Sequence, residues 1–323
     1  MGILRPIGIR LAIAIAMAIA ASAMLFTAVE VLPGDAATTI LGPNATPERA
    51  EALRTQLRLD EPAHERYGRW LAGVASGDLG ESVISGRSAW ETISTPLRNS
   101  AVLGIAAMAA MAIAAVALGV AAGHRPGSSL DRALTAGTSL AASVPDFVLG
   151  TLLVAVLASW LDLLPAVSLV GPGAAPWDEP AILLLPVATM TLVGGAYGAR
   201  LVRAVVADAS QSAHVESARL AGLAESRVLS RHLLPGVAGP IAQVLAAMVP
   251  FVVGGTIVVE RLFGYPGLGS AFVAQLAARD VVVVEAIGLL LTAVVIVALF
   301  TADSIGVLTD PRRRAKRDRP RPT

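Results

Sequence analysis

The residues best suited to metal binding or nucleophilic chemistry are few in this sequence, and their spacing favours neither. Its four histidines are scattered, at His64, His124, His214 and His232. No HExxH pair and no GxSxG serine motif occurs. The chain has no cysteine, which excludes disulfides, thiolate-bound zinc, iron–sulfur clusters and thiol nucleophiles. The sequence therefore predicts neither a metal site nor a catalytic centre.

A phosphate-binding loop is also missing from the sequence. Such a loop needs glycine followed by lysine and then serine or threonine, whereas the single lysine, Lys316, follows Ala315 in a basic tail. Energy for any active process must therefore come from another subunit or from an ion gradient. Lys and Arg total 25 against 24 Asp and Glu, so the net charge gives no indication of a nucleic-acid partner.

The elements that carry these residues are predicted to be membrane spans. Of 323 residues, 55% are hydrophobic and only 15% are charged, against about 25% charged in soluble domains. A helix needs about 20 mostly apolar residues to cross a bilayer. Six nearly uncharged runs meet this requirement: 11–31, 99–123, 133–161, 180–199, 237–259 and 281–302.

The third and sixth runs each have an acidic residue in their interior, and the third is too long for a straight crossing. The third run is interrupted by Pro145 and Asp146, so we expect a tilt or a kink near Pro145. The sixth run contains Glu285. Both acids are expected near a span end or a kink, where a structural role is favoured over a proton relay.

The distribution of basic residues predicts the orientation of the spans. Segment 162–179 has no Lys or Arg. The segments on the other side carry Arg5, Arg10, Arg125, Arg132, the arginines of 203–231 and the basic tail 312–321, and the long segment 33–98 is exempt from the positive-inside rule. The positive-inside rule then makes both termini cytoplasmic and leaves 33–98 outside. Residues 21–23 imitate a signal-peptide cleavage site, but the apolar run continues beyond them, which favours a retained span.

The outer segment 33–98 is predicted to be folded. Thr46 before Pro47 is a typical helix start, and a second start is expected at 60–62. Apolar residues follow that second start at helical spacing, at Tyr67, Trp70, Leu71 and Val74. The segment is either a small amphipathic cap on the spans or a docking surface for an external partner.

Between the fourth and fifth spans lies a short polar connection, residues 203–236, which we call the elbow. Its apolar positions predict a helix, a break at Gly222 and a second helix that Pro235 ends. From the spacing alone, the elbow is either a plain hairpin linker or a compact knob that projects from the membrane.

Several stretches together resemble one family. The stretch Glu216-Ser217-Ala218 is followed by Gly222, six positions after the glutamate, and then by Leu234-Pro235. This pattern resembles the cytoplasmic EAA loop of ABC importer permeases. LPGDAA at 32–37, SVPDFVLG at 143–150, ERLFGYPGLG at 260–269 and the ending around Asp303 and 310–312 resemble the dipeptide, oligopeptide and nickel group of these permeases. The resemblance covers nearly the whole chain.

This resemblance implies an all-α membrane protein with six transmembrane helices, the type I ABC importer permease fold and an extracytoplasmic subdomain between helices 1 and 2. The implied organisation is a cytoplasmic N-terminus with the first span (1–32), the subdomain (33–98), a permease core (99–308) with the coupling loop at about 203–236, and a basic cytoplasmic tail (309–323).

The resemblance also implies a non-catalytic subunit in the plasma (inner) membrane, surrounded by lipid, that imports di- or oligopeptides. Its partners would be a second homologous permease, two ABC ATPase domains and an extracytoplasmic substrate-binding protein, with no nucleic acid. No cofactor is expected in this chain, since the ATPase subunits would bind ATP and Mg. Nickel or another small solute is the alternative cargo, and an ion-coupled secondary carrier is the alternative mechanism.

Two sets of residues take roles from the resemblance. The predicted ATPase-coupling residues are Glu216, Ser217, Ala218, Arg219, Gly222, Arg227, Arg231, His232, Leu234 and Pro235. Among them, Gly222 is expected to allow close helix approach, and the arginines to meet acceptors on the partner or merely to follow the positive-inside rule. The predicted outer-gate residues are Glu260, Phe263, Tyr265, Pro266, Gly267 and Gly269. A plain extracellular turn is the alternative for this second set.

The sequence also departs from the family pattern, chiefly in the elbow. Ala221 stands where the family has lysine before the glycine, and Pro235 and Gly236 replace Arg and Asn. Glu216 occupies a position where this group more often has arginine, and Gly306 one where it has tyrosine. These departures bear on the docking contacts and the choice of partner, not on the fold.

Overall fold

The computed structural model describes residues 4–31, 36–42, 46–57, 59–171 and 173–309. In these residues all regular secondary structure is helical, apart from an isolated antiparallel bridge between Glu81 and Ser88. The helices, in chain order, are α1 (Leu4–Val31), α2 (Ala36–Leu41), α3 (Pro47–Gln56), α4 (Ala63–Ala75), α5 (Ala89–Gly123), α6 (Ser129–Ala142), α7 (Asp146–Trp160), α8 (Ala181–Ser210), α9 (Ala213–Leu220), α10 (Glu225–Phe263), α11 (Leu268–Ala278) and α12 (Val281–Thr309).

Two parts of the predicted organisation lie outside the described residues. These are positions 32–35 of the LPGDAA motif and the basic tail from position 310 onward.

The described helices agree with the predicted membrane spans. Five of them, α1, α5, α8, α10 and α12, are long and apolar enough to cross a bilayer, and α6 with α7 makes a sixth if this bent pair is one span. The pair bends by 97°. The break lies at the expected place, because Pro145 is the N-cap of α7 and a proline disfavours helical backbone in the residue before it.

Three of the long helices contain wider, π-helical turns. These turns are Val154–Trp160 in α7, Thr191–Gly195 in α8 and Leu229–Leu233 in α10. A π turn admits an extra residue into the helical ladder and changes the phase of the side chains that follow. Sequence periodicity assumes a constant 3.6 residues per turn, so it did not predict these positions.

The chain divides into two compact units, each built from separate stretches. Unit 1 comprises Met1–Val102, Val167–Glu179 and Phe263–Ile296. Unit 2 comprises Leu103–Ala166, Pro180–Leu262 and Val297–Thr323.

In unit 1 the outer segment packs on the first span. Both predicted helix starts are confirmed: Thr46 caps α3 through a bond from Arg49 N to its Oγ1 (3.3 Å), and α4 begins after Pro62. Tyr67 on α4 then meets α1, with its hydroxyl 2.7 Å from Ser22 Oγ. The ring of Tyr67 lies 5.3 Å from that of Phe26.

In unit 2 small residues let helices approach closely. A Cβ atom added to Gly119 on α5 would lie 2.6 Å from Val202 Cβ and 2.8 Å from Ala199 O on α8. That distance is too short for any side chain, so glycine is required there. Gly195 also packs tightly, with a Cβ position 3.1 Å from Ala114 Cβ, whereas Gly254 has open space around it.

Candidate functional site: the elbow between α8 and α10

The elbow starts within the last turns of α8, and α9 follows at once. The chain turns through Gln211 to Ser212, whose extended backbone (φ −70°, ψ 147°) is the N-cap of α9. Val215 and Ala218 are buried on the inner face of α9. Glu216 and Ser217, which lie between these two residues in sequence, are exposed on the opposite face. The helix–glycine–helix interpretation of the elbow is therefore confirmed for its first helix.

Gly222 ends α9 in a left-handed turn. Its φ is +76°, its amide donates to Arg219 O (2.9 Å), and the next amide, of Leu223, donates to Ala218 O (3.3 Å). These two bonds form a Schellman cap, which satisfies carbonyl groups at the helix end. A Cβ at Gly222 would meet nothing within 4 Å. The expectation of close helix approach is therefore wrong: glycine is needed here for its backbone conformation, not for space.

Arg219 connects α9 to three other places in unit 2. Its Nη1 donates to Ser210 O at the end of α8 (3.0 Å). Its Nη2 donates to His124 O just after α5 (3.1 Å) and to Glu225 Oε1 at the start of α10 (3.0 Å). Since a guanidinium carries five N–H donors in a rigid plane, one side chain can join all three. The acceptors observed for Arg219 thus belong to this chain, whereas the sequence suggested acceptors on a partner.

A common apolar core underlies both helices of the elbow. Val215 and Ala218 of α9 pack with Val228 and Leu233 of α10, all of them buried. The same cluster includes buried residues of α5 and α8, among them Val202. Each fully buried valine or leucine contributes about 1.5–3 kcal/mol. The elbow is therefore a rigid extension of the helices beneath it rather than a loose linker.

The outer surface of the elbow carries most of the predicted coupling residues. Glu216, Ser217, Gly222, Arg227, Arg231 and Pro235 are exposed, His232 and Leu234 are half-buried, and Ala218 is buried. The carbonyl of His232 lies 3.3 Å from His214 Nε2.

Leu220 is the most exposed large apolar residue of the elbow, at 83%, and was not among the predicted coupling residues. It lies at the end of α9, immediately before the turn that contains the exposed Ala221 and Gly222. Its apolar character is visible in the sequence. Its exposure is not, because helical spacing equally allows an inward position.

Pro235 does not end the second helix, so this part of the prediction is wrong. The helix that begins at Glu225 continues through Pro235 as far as Phe263, with one break at Met248. The π turn Leu229–Leu233 comes directly before it, and Pro235 lies in the first turn of the following α-helical segment. The wider π turn changes the hydrogen-bond ladder just before the proline, and this lets the helix accept a residue without an N–H.

A buried ion pair lies at the base of the elbow in unit 2. Arg203 on α8 donates through Nε and Nη2 to the carboxylate of Asp131 on α6, which is 2% exposed. Asp131 also accepts from Gly127 N (2.8 Å) and Thr135 Oγ1 (3.2 Å). Removing one partner of such a pair leaves a buried charge and costs several kcal/mol. Sequence reasoning treated Arg203 only as part of a basic run and did not identify this pair.

The predicted gate stretch of unit 1, residues 263–269, is called the outer turn. Tyr265 is fully buried, and its Oη donates to Asn99 O (2.8 Å). In return, Asn99 Nδ2 donates to Pro266 O (2.9 Å), and Leu268 N donates to Ser100 Oγ (2.6 Å). These bonds hold the outer turn against the N-terminal half of α5.

Most of the predicted gate residues are buried. Phe263, Gly267 and Gly269 are buried, Pro266 is half-buried, and the helix expected after the turn is α11. Glu260, near the end of α10, is also buried. The gate role stays a prediction, and the observed geometry is that of a packed turn.

The two acids inside the predicted spans lie where they were expected. Asp146 is the first residue of α7, at the bend, and Glu285 is near the start of α12. In the described parts of the chain, no group of three or more His, Asp or Glu residues is arranged to hold a metal ion.

Comparison with known proteins adds independent findings. The model of the family described as binding-protein-dependent transport system inner membrane component matches residues 115–315, and a model of the N-terminal part of these components matches 3–95. The chain is 29% identical over 308 residues to a probable peptide ABC transporter permease protein of Sinorhizobium fredii, which covers 94% of this chain and 97% of that protein.

Two further relatives are similar over almost their whole length. An oligopeptide transport system permease protein of Bacillus subtilis is 28% identical over 290 residues, 89% of this chain and 92% of its own. A glutathione transport system permease protein of Escherichia coli is 31% identical over 295 residues, 91% of this chain and 94% of its own.

Proposed function

We propose that this chain, which belongs to the family of inner membrane components of binding-protein-dependent transport systems, carries short peptides across a membrane as one permease subunit of an ATP-driven importer. The fold of this family is the type I ABC permease fold, and the all-helical architecture with five or six apolar spans agrees with it. The similar proteins named for peptide, oligopeptide and glutathione transport support the choice of cargo.

The observation that carries the coupling role is the contrast between the exposed tip and the fixed base of the elbow. Leu220 is exposed at the tip, next to backbone with no bulky side chains at Ala221 and Gly222. We infer that Leu220 enters a pocket on another protein, where burial of its side chain would stabilise the complex. We assign that pocket to an ATPase subunit, because this chain has no phosphate-binding loop of its own.

The base of the elbow suits it to transmit movement. Arg219 bonds to the end of α8, the chain just after α5 and the start of α10. A displacement of α9 by the ATPase is therefore passed to three helices at once, since the apolar core between them resists deformation. The spans would then change between an inward-facing and an outward-facing state. ATP and Mg belong to the ATPase subunits in this proposal, and a second permease and an external binding protein complete the importer.

The direct test is truncation of Leu220 in the complete, reconstituted importer. Leu220→Ala is expected to weaken association with the ATPase subunit by roughly tenfold to a hundredfold, because burying a leucine contributes about 1.5–3 kcal/mol. Uptake of a labelled dipeptide should fall in parallel. Leu163→Ala is the matched control, since Leu163 is 66% exposed but lies outside the elbow. Unchanged ATPase association and uptake in Leu220→Ala would contradict the proposal.

The proposed orientation has its own test. Because the chain has no cysteine, a single Ala52→Cys or Ala221→Cys substitution reports its side of the membrane without background. Both positions are exposed. A membrane-impermeant maleimide added to intact cells should label position 52 and not position 221. The reverse pattern would overturn the assignment of the elbow to the cytoplasm.

A further inference from the structure

Unit 1 contains a cavity of about 410 Å³ that the coupling proposal does not use. Its described lining comes from α1, α2, α3, α4, the segment after α4, and the start of α12. Phe26 and Trp70 provide aromatic wall, and Glu285 and Arg66 provide charged groups. A volume of this size lies within the range of roughly 300–1,000 Å³ that is typical of small-molecule sites.

Glu285 presents an unsatisfied acceptor to the cavity. Its side chain is 1% exposed, and no hydrogen-bond partner lies within reach of Oε1 among the described residues. Buried polar atoms are nearly always hydrogen-bonded, and a buried carboxylate oxygen without a donor is costly. The lining thus has a position that requires a donor, and a cationic donor would satisfy it best.

Arg66 presents the complementary group to the same cavity. Its Nη2 is paired with Glu30, and its guanidinium lies 5.9 Å from the centre of the Phe26 ring. Its Nε is buried and has no acceptor in the described part of the chain. Because the pairing and the ring contact hold the guanidinium in place, Nε cannot easily turn to find an acceptor elsewhere. The lining therefore also has a position that requires an acceptor.

The remaining charges on the lining are mixed but mainly basic. Arg69 is paired with Glu61, and the Asp78 carboxylate accepts from Gly80 N (2.8 Å). Arg54 and Arg279 also line the cavity. Basic groups near Arg66 favour an anionic group on a ligand, and aromatic faces next to a carboxylate suit an ammonium group.

We propose that this cavity binds a small zwitterionic solute of amino-acid or dipeptide size, with its ammonium group donating to Glu285 Oε1 and its carboxylate accepting from Arg66 Nε. A ligand with only one charged group could bond to Glu285 Oε1 or to Arg66 Nε, but not to both. The site is part of the unit that contains the outer segment, so it is a receptor for solute that is separate from the elbow. Its occupancy needs neither ATP nor the coupling role of the elbow.

The test measures equilibrium binding of radiolabelled dialanine to the membrane-embedded importer without its external binding protein and without nucleotide. Glu285→Gln is expected to weaken binding by about tenfold or more, since the amide cannot form the charge-assisted bond to an ammonium group. Arg66→Lys keeps the positive charge but removes the Nε donor, and should also weaken binding. Glu48→Gln is the matched control, because Glu48 is exposed on α3 and does not line the cavity.

Two blocked ligands separate the two ends of the site. N-acetyl-dialanine lacks the ammonium group, so its affinities for wild type and for Glu285→Gln should be similar. Dialanine amide lacks the carboxylate, so its affinities for wild type and for Arg66→Lys should be similar.

The proposal is overturned if dialanine shows no saturable binding at millimolar concentration, which would mean that water alone fills the cavity. It is also overturned if both variants bind dialanine like wild type, because the binding would then lie elsewhere, for example in the translocation pathway. ATP-driven uptake with the binding protein present is measured in parallel. Loss of uptake in the Leu220 variant tests the coupling proposal, and loss of dialanine binding in the Glu285 variant tests the cavity proposal. One proposal can therefore fail without the other.

Discussion

The elbow and the outer turn are built from similar local sequence and yet present opposite surfaces. Each follows a helix with a glycine in left-handed backbone, Gly222 at φ +76° and Gly264 at φ +66°. Beyond that glycine, the elbow leaves Ala224 exposed, whereas the outer turn buries Tyr265 completely. The comparison teaches that a glycine-containing turn is not by itself a docking site, and that burial of its neighbours decides what it can do.

The two regions should therefore respond differently to substitution. Changes in the outer turn are expected to act on the stability of unit 1, since its side chain and backbone bonds are internal. Changes in the elbow are expected to act on coupling, since Leu220 and Ala221 are exposed while the base of the elbow is braced.

The largest effect is expected for Tyr265→Ala. This substitution removes a fully buried aromatic ring and its bond to Asn99 O, and large-to-small changes of this kind cost about 3–5 kcal/mol. Tyr265→Phe should cost about 1–3 kcal/mol, because it leaves the Asn99 carbonyl without this donor. The apparent melting temperature of the purified permease gives the measurement. A melting temperature unaffected by Tyr265→Ala would show that the outer turn is not structural.

A smaller loss of stability, with a clear loss of coupling, is expected for Arg219→Ala. The side chain is about one-third exposed and makes three bonds, so we expect a cost of about 1–2 kcal/mol after allowance for solvent. The number of ATP molecules hydrolysed per solute imported should rise, because α9 can then move without the neighbouring helices. Arg132→Ala is the matched control, as Arg132 is an exposed arginine of α6 that lies outside the elbow. Equal ratios for the two variants would argue against a bracing role.

A loss of stability similar to that of Arg219→Ala is expected at Gly222. A β-branched residue in left-handed backbone costs about 1–2 kcal/mol, and no atom within 4 Å adds a steric cost. Gly222→Val should lower the ratio of uptake to ATP hydrolysis while membrane insertion remains normal. Gly222→Asn should be milder, since asparagine tolerates this conformation. Gly236→Ala is the control, because Gly236 is helical and also has open space around it. Normal uptake by Gly222→Val would contradict the importance of the turn.

Much of the fold follows from local sequence. The spans, the helix starts at Thr46 and Pro62 and the bend at Pro145 all depend on residues within one or two turns of each other. The same is true of the break at Gly222. Pro235 shows the limit of this reasoning: a proline usually ends a helix, but the π turn before it allowed the helix to continue.

The candidate site depended on contacts that local sequence does not contain. Arg219 bonds to His124, 95 positions away, and Tyr265 bonds to Asn99, 166 positions away. The exposure of Leu220 and the burial of Glu285 depend in the same way on which helices pack beside them.

The sequence by itself determined that this is a helical membrane protein, and the order of its spans, because apolar length and helix signals are properties of neighbouring residues. The tertiary structure alone decided which side of each turn is exposed and which charges are left unpaired. Those properties depend on how distant segments pack together, because the burial of a side chain is set by the whole fold and not by the residues next to it in sequence.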